Sequence, residues 1–503
     1  MAAHRIDPEF RALPLDALAD AALGRARALG AQHADVRVER ILSQGIDLRD
    51  GSVTAVSDTT TVGLAVRVIV DGVWGFASHV ELTRERAAAT AERAVAVART
   101  LAPVAVERVE RADEPVHAGA EWVSPYEVDP FAVPTREKIA LLTEWSQRLL
   151  AADGVDHARV GVAQVREHKF YADTAGTRTV QQRVRIEPSI TATAVDRAAG
   201  GFETMSSIAP PVGRGWEYLT GTGWNFDDEL AAIPELLAEK TKAPSVQAGA
   251  YDLVIDPSNL WLTIHESVGH ATEYDRAIGY EAAYAGTSFA TPDRLGTLRY
   301  GSEHMHVTGD RTVPHGLASI GFDDDGVATG EWDLVRDGVL VGYQLDRTFA
   351  PRLGLDRSNG CAFADSPHHV PIQRMANVSL RPDPARDTTT DELIGGVERG
   401  IYVVGDKSWS IDMQRYNFQF TGQRFYRIEG GRLAGQLRDV AYQATTTDFW
   451  GSMDAVGGPS TWQLHGAMNC GKAQPGQIAA VSHGCPAARF RGVNVLNTQE
   501  EAR

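Results

Sequence analysis

Cysteine is scarce in this chain. The three present (Cys361, Cys470 and Cys485) among 503 residues are too few, and odd in number, for a disulfide framework. Basic charge is also short, with Lys+Arg 49 against Asp+Glu 66 and a net charge of −17. This balance repels phosphate backbones and anionic lipid, and no Lys/Arg run is long enough to make a local basic patch. Neither nucleic acid nor membrane is therefore expected as a partner. Long apolar runs are missing too. No stretch reaches the roughly 18 uncharged apolar residues of a membrane-spanning helix. The opening "MAAHRIDPEFRALPLDALADAALGRARALG" lacks the continuous apolar core of a signal peptide. These absences lead to the expectation of a cytoplasmic protein.

What is present is an ordinary globular composition, 43% hydrophobic and 23% charged. A chain of this length rarely keeps to one core, so two domains are expected. The predicted fold class is α+β: a mixed sheet-and-helix domain over 1–243, and a β-rich domain over 244–503 that also carries one functional helix. In the first half, periodicity predicts helices near 15–29, 83–100 and 135–152, with alternating strands at 34–40, 159–172 and 177–195. Asp71-Gly72, Asp337-Gly338 and Gly430-Gly431 each sit between alternating runs, a hairpin signal because such turns require positive φ.

The chemistry concentrates in "YDLVIDPSNLWLTIHESVGHATEYD" (251–275). A strand gives way to a helix started by an Asp256 cap and a first-turn Pro257. Leu260, Ile264 and Val268 recur every four residues and predict one core-facing side, with His265 and Glu266 off that stripe. "HESVGH" is one residue longer than the H-E-x-x-H of zinc peptidases. On a regular helix an i,i+4 pair is offset by about 40°, an i,i+5 pair by about 140°, too wide to share one ion. Two imidazoles five apart can converge only if the helix widens into a π turn or ends near Gly269. The spacing alone also allows two unrelated histidines, one packed and one solvated. The adjacent Glu266 favours the metal reading, since a carboxylate beside two ligands suits a general base.

The sequence here resembles the TldD/PmbA family of metallopeptidases, whose TldD-type members carry H-E-x-x-x-H. The resemblance extends to "GLASIGFDDDGVATGEWDLVRDGVLVGYQLDR" (316–347), "HHVPIQRMANVSL" (368–380), "GIYVVGDKSWSIDMQRYNFQF" (400–420) and "NCGKAQPGQ" (469–477). Less specific likeness lies in "LRDGSVTAVSDTTTVGLAVRV" and "YEVDPFAVPTREK". The resemblance implies one Zn2+ per catalytic chain, held by His265, His270 and Cys470, with Glu266 as base and peptides as substrate. Lys472 would then help to hold the Cys470 thiolate. His369, Arg374 and Asn377 match a third family motif as candidates to orient substrate or the metal shell, a structural role being the alternative. The resemblance also implies a dimer, with a PmbA-type partner lacking the motif or with a second copy.

Rival sites are weaker. Cys485, in "SHGCPAAR", offers a second thiol near the C-terminus. His483 with Cys485, and His304 with His306, have spacings that share a strand face. "DDDG" (323–326) lacks the spacing of a calcium loop and reads as a turn, and Cys361 reads as a small buried hydrophobe. A zinc peptidase is the leading reading. A peptide-binding scaffold with a structural zinc is the alternative, distinguished by a closed coordination shell.

Overall fold

The computed structural model describes residues 5–197 and 200–501. The first half is built on a seven-stranded sheet. Its strands run in the order Val73–His79, Ser52–Val70, His33–Arg49, His157–Asp173, Arg178–Asp196 and Ala118–Val123, with Gly201–Ser206 also on Arg178–Asp196. All neighbours pair antiparallel except Ala118–Val123, which is parallel to its neighbour. The helices Leu15–Ala28, Arg84–Leu101 and Thr135–Leu150 fall where the periodicity puts them. The strand read at 34–40 is the buried part of the much longer His33–Arg49. Asp71-Gly72 closes its hairpin with both φ positive, at 53° and 71°.

The period of two divides this sheet into unlike faces. Val36, Val38, Val66 and Val68 pack under Leu15–Ala28 and Arg84–Leu101. Further along the same face, Ile46, Leu48, Val160 and Ile186 pack under Thr135–Leu150 and a further helix, Phe226–Lys242. The opposite face is charged yet buried, and it meets the second half of the chain. Lys169 Nζ donates to Asp324 Oδ2 at 2.7 Å and to the Ala364 carbonyl at 2.8 Å. Arg37 pairs with Glu39 and Asp324, and Arg67 with Asp35 and Asp325. "DDDG" is thus a turn, as expected, but one whose three aspartates are all buried. Such a seam stays folded only because nearly every charge has an opposite partner.

In the second half, Arg399–Ile411, Gly249–Ile255, Ala488–Asn497, Val440–Thr445 and Asn417–Glu429 pair in sequence, and the last pairs back to the first, closing a five-stranded barrel. Asp337-Gly338 (φ 48° and 73°) and Gly430-Gly431 (54° and 75°) form the expected two-residue turns. The architecture is α+β. Among the described residues, no helix is long and apolar enough to cross a membrane.

The functional helix leaves the barrel strand Gly249–Ile255 directly. Asp256 Oδ1 accepts from the Ser258 amide at 3.0 Å, capping Pro257–Ile264. The single core-facing stripe is too narrow a reading, because every residue from Pro257 to Ala277 is buried. Its polar positions are therefore each partnered. Asn259 donates to the Gly405 and Thr421 carbonyls, Tyr442 donates to Asn259, and Trp261 donates to Asp406. These bonds lock the helix to the barrel strands, as buried polar groups require.

Candidate metal centre

At His265 the helix widens. His265–Gly269 is a π turn in which the His270 amide donates to the His265 carbonyl at 3.0 Å, an i→i+5 bond. The carbonyls that the widened turn releases find other donors: Tyr300 donates to Ser267 O, and Gln344 Nε2 to Gly269 O at 2.7 Å. Gly269 is not in the left-handed region, so its backbone freedom is not what the turn uses. What counts is room, because a Cβ there would stand 2.6 Å from Met375 Sδ.

The widened turn converts the 140° mismatch into an approach. The His265 and His270 rings lie 4.7 Å apart at 74°. Ligand atoms of His265, His270 and Cys470 all fall within 4.8 Å of one another, and all three residues are buried. Cys470 Sγ is 3.5 Å from His270 Nε2. Cys470 arrives from the hairpin of Gln463–Lys472 and Gln477–Cys485, at an irregularity in its register.

Hydrogen bonds fix which ring atoms face the cluster. His483 Nδ1 lies 2.8 Å from the Val378 carbonyl, which can only accept, so Nδ1 carries the proton. Burial pushes the His483 pKa far down, so its Nε2 is an acceptor. It receives the Nδ1 proton of His265 at 2.8 Å. Burial likewise lowers the His265 pKa, which leaves His265 Nε2 as a free lone pair. His270 Nδ1 donates to Glu273 Oε2 at 2.8 Å, turning its Nε2 toward Cys470. An outer carboxylate or imidazole that sets the ligand tautomer is how metal-binding histidines are held.

Lys472 does not hold the thiolate. Its ammonium, fully buried, donates to Asp275 Oδ1 at 2.8 Å, Glu273 Oε1 at 3.1 Å and the Gln373 carbonyl at 2.8 Å. It thereby keeps Glu273 ionised, well below the ordinary carboxylate range despite burial. Arg374 is the cation beside Cys470, its Nη2 donating to the Cys470 backbone carbonyl at 2.6 Å. Burial disfavours the Cys470 thiolate, but the His270 ring and Arg374 outweigh it and hold the thiol below its usual value. Cys485 is the contrary case. Burial and Asp256 push its thiol well above the usual range, and its Sγ points to the Pro257 carbonyl at 3.7 Å.

Glu266 lies beside His265, with its carboxylate bonded to Arg415 Nη1 at 2.5 Å. Burial opposes its ionisation, but the two motif rings and Arg415 prevail and keep its pKa below the ordinary value. Asn377 is structural, its Oδ1 accepting from the Ala318 and Ser482 amides and so holding the strand that carries His483. The structure does not bring His369 to the cluster; it pairs with Asp365 at 2.6 Å and is half-buried. His304 and His306 precede the strand Val307–Asp310 rather than sharing one, and His306 faces Asp337. Cys361 is fully buried, its thiol pushed up to about 12 by burial. Sequence reasoning passed over Glu273, although its position three residues after His270 on a helical path was a usable signal. It met His483 only as a rival ligand and gave no sign of Arg415.

Two imidazole nitrogens freed by their outer partners and one thiol form a donor set suited to a borderline-soft divalent metal.

Comparisons with known proteins agree with this chemistry. Family models of the PmbA/TldA metallopeptidase match in three successive parts: domain 1 over residues 34–98, the central domain over 128–243 and the C-terminal domain over 248–497. A metalloprotease of Methanothermobacter thermautotrophicus is 28% identical over 478 residues, covering 93% of this chain and 96% of its own length. A metalloprotease of Synechocystis is 28% identical over 474 residues, covering 92% and 94%. In fold, the chain is similar to a Thermotoga maritima protein described as a candidate modulator of a DNA gyrase, with TM-score 0.76 at 16% identity over 96% of this chain and 100% of that one. This chain belongs to the PmbA/TldD family of metallopeptidases.

Proposed function

We propose that the chain is a zinc peptidase that hydrolyses peptides or unfolded polypeptide segments. The observation that carries this reading is the buried trio of His265, His270 and Cys470 with the Glu266 carboxylate beside it. A bound zinc would supply Lewis acidity, lowering the pKa of water and polarising a peptide carbonyl. His265, His270 and Cys470 would hold the ion, with His483, Glu273 and Arg374 orienting them. Glu266, ionised at neutral pH, takes the proton from the attacking water and later returns it to the leaving amine nitrogen. Burial of the cluster keeps bulk water from competing and strengthens each charge interaction.

The test combines metal analysis with cleavage of an unstructured peptide by wild type and Glu266→Gln. Glutamine keeps the shape but accepts no proton, so hydrolysis should fall by about 10²–10⁴-fold with bound zinc unchanged. A wild-type protein that binds zinc and peptide but cuts nothing, alone or with a PmbA-type chain, would make it a scaffold with a structural ion. We also propose, on family grounds, that the working particle is a dimer. A monomer cleaving at full rate would refute that.

A further inference from the structure

Arg415 is placed where no structural need explains it fully. It lies in the turn between Arg399–Ile411 and Asn417–Glu429, at φ 64°, a backbone region that a non-glycine side chain rarely adopts. Asp412 holds that turn, accepting from the amides of Gln414, Tyr416 and Asn417 and from the Asn417 side chain. Thr446 fixes the far side by donating to the Arg415 carbonyl at 2.8 Å. The result is a guanidinium only 14% exposed and bonded to Glu266. Since Glu266 directly follows His265, this bond sets the guanidinium at the edge of the metal-binding trio.

A guanidinium has five N–H donors. Nη1 goes to Glu266, while Nε is buried with no acceptor among the described residues. Buried donors left unpaired are unfavourable, and a cation beside a general base weakens that base in the ground state. Both costs are offset if the negative charge moves during the reaction. As Glu266 takes the water's proton it becomes neutral. The water oxygen bonds to the carbonyl carbon, and the carbonyl π pair passes to its oxygen. When the C–N bond breaks, that pair re-forms the carbonyl, and the nitrogen takes the bond pair and the proton from Glu266. Negative charge thus leaves Glu266 just as it appears on the carbonyl oxygen. A cation that keeps its bond to Glu266 and gains a hydrogen bond to the oxyanion only as that charge forms binds the transition state more strongly than the ground state.

We infer that Arg415 is a catalytic residue whose guanidinium, held against Glu266, donates to the oxyanion formed from the scissile carbonyl. This rests on the peptidase reading above. Trp409, hydrogen-bonded to Glu266, and Met413 are 52% and 55% exposed on the same hairpin tip, giving an apolar rim for substrate side chains.

The experiment compares wild type, Arg415→Gln and Arg415→Lys, each checked for zinc content and melting temperature. An unstructured peptide is supplied as free acid and as C-terminal amide. Affinity for a phosphinic peptide, a tetrahedral anion, is measured by calorimetry. For Arg415→Gln, kcat should fall about 10²–10³-fold with KM nearly unchanged for both peptides. Phosphinic affinity should drop by a similar factor, and lysine should restore part of each. Unchanged kcat or unchanged phosphinic affinity overturns the inference. A loss confined to KM for the free acid also overturns it, making Arg415 a binder of substrate termini. Loss of zinc or folding in both variants makes it a structural clamp and overturns it too. Absence of cleavage by wild type would instead sink the peptidase reading, so the two failures are distinguishable.

Discussion

His483 Nε2 lies 2.8 Å from His265 Nδ1, and this one contact decides the tautomer of the first histidine of the motif. Removing it should leave His265 free to rotate and to carry its proton on either nitrogen. His483→Ala is expected to retain metal but bind it about 10–100-fold more weakly, measured by competition with a chelator. Unaltered affinity would show that ring orientation comes from elsewhere, and complete loss would make His483 a ligand.

The two candidate thiols are separated by their surroundings. Cys470 is drawn toward ionisation by His270 and Arg374, whereas burial holds Cys485 protonated. Cys470→Ser should therefore lose most bound zinc while Cys485→Ser keeps it, read by elemental analysis of the purified proteins. The reverse pattern would transfer the ligand role to Cys485.

Lys472 neutralises Glu273 and Asp275 inside the protein. Its replacement by Met leaves two buried carboxylates with Arg276 as the remaining cation on Glu273. Breaking such a cluster costs about 3–5 kcal/mol, so denaturant midpoints of the metal-free protein should fall accordingly. A folded, equally stable Lys472→Met with only an altered thiol would restore the role first expected of this lysine.

Opposite pH dependences should be separable by mutation. Burial lowers the His465 pKa to about 4 in the folded chain, against about 6.5 when unfolded. Its contribution is present above pH 6.5 and is lost as pH falls toward 4, by up to about 3 kcal/mol. His465→Gln should gain on wild type through that window. Burial and Asp325 raise Asp323 to about 8, so the folded chain keeps a proton that the unfolded chain releases. Stability from that group is full below about pH 4 and declines as pH rises to about 8, and Asp323→Asn should gain on wild type over that range. Thermal melts of the metal-free proteins across pH 4–8.5 check both, and parallel curves would remove either assignment.

The sequence by itself determined what local rules control. Asp71-Gly72, Asp337-Gly338 and Gly430-Gly431 demanded hairpins because only such pairs tolerate two successive positive φ values. The Asp256-Pro257 cap set where the functional helix begins, and the five-residue spacing of His265 and His270 required a distortion if they were to share an ion. Family motifs pointed to Cys470 across 200 positions. Tertiary structure decided the rest. Which route the distortion takes depends on Tyr300 and Gln344 arriving to satisfy the released carbonyls. Lys472 shares the buried strand face with Cys470, as a period of two requires, but its ammonium is taken by Asp275, Glu273 and the Gln373 carbonyl, which chain positions far from it bring there. His483 and Arg415 reach the site from strands and turns far away in the chain. No local periodicity encodes that approach, because His483 arrives on a separate hairpin and Arg415 on a turn between two barrel strands, and only the packing of both against the helix brings them within hydrogen-bonding distance of it.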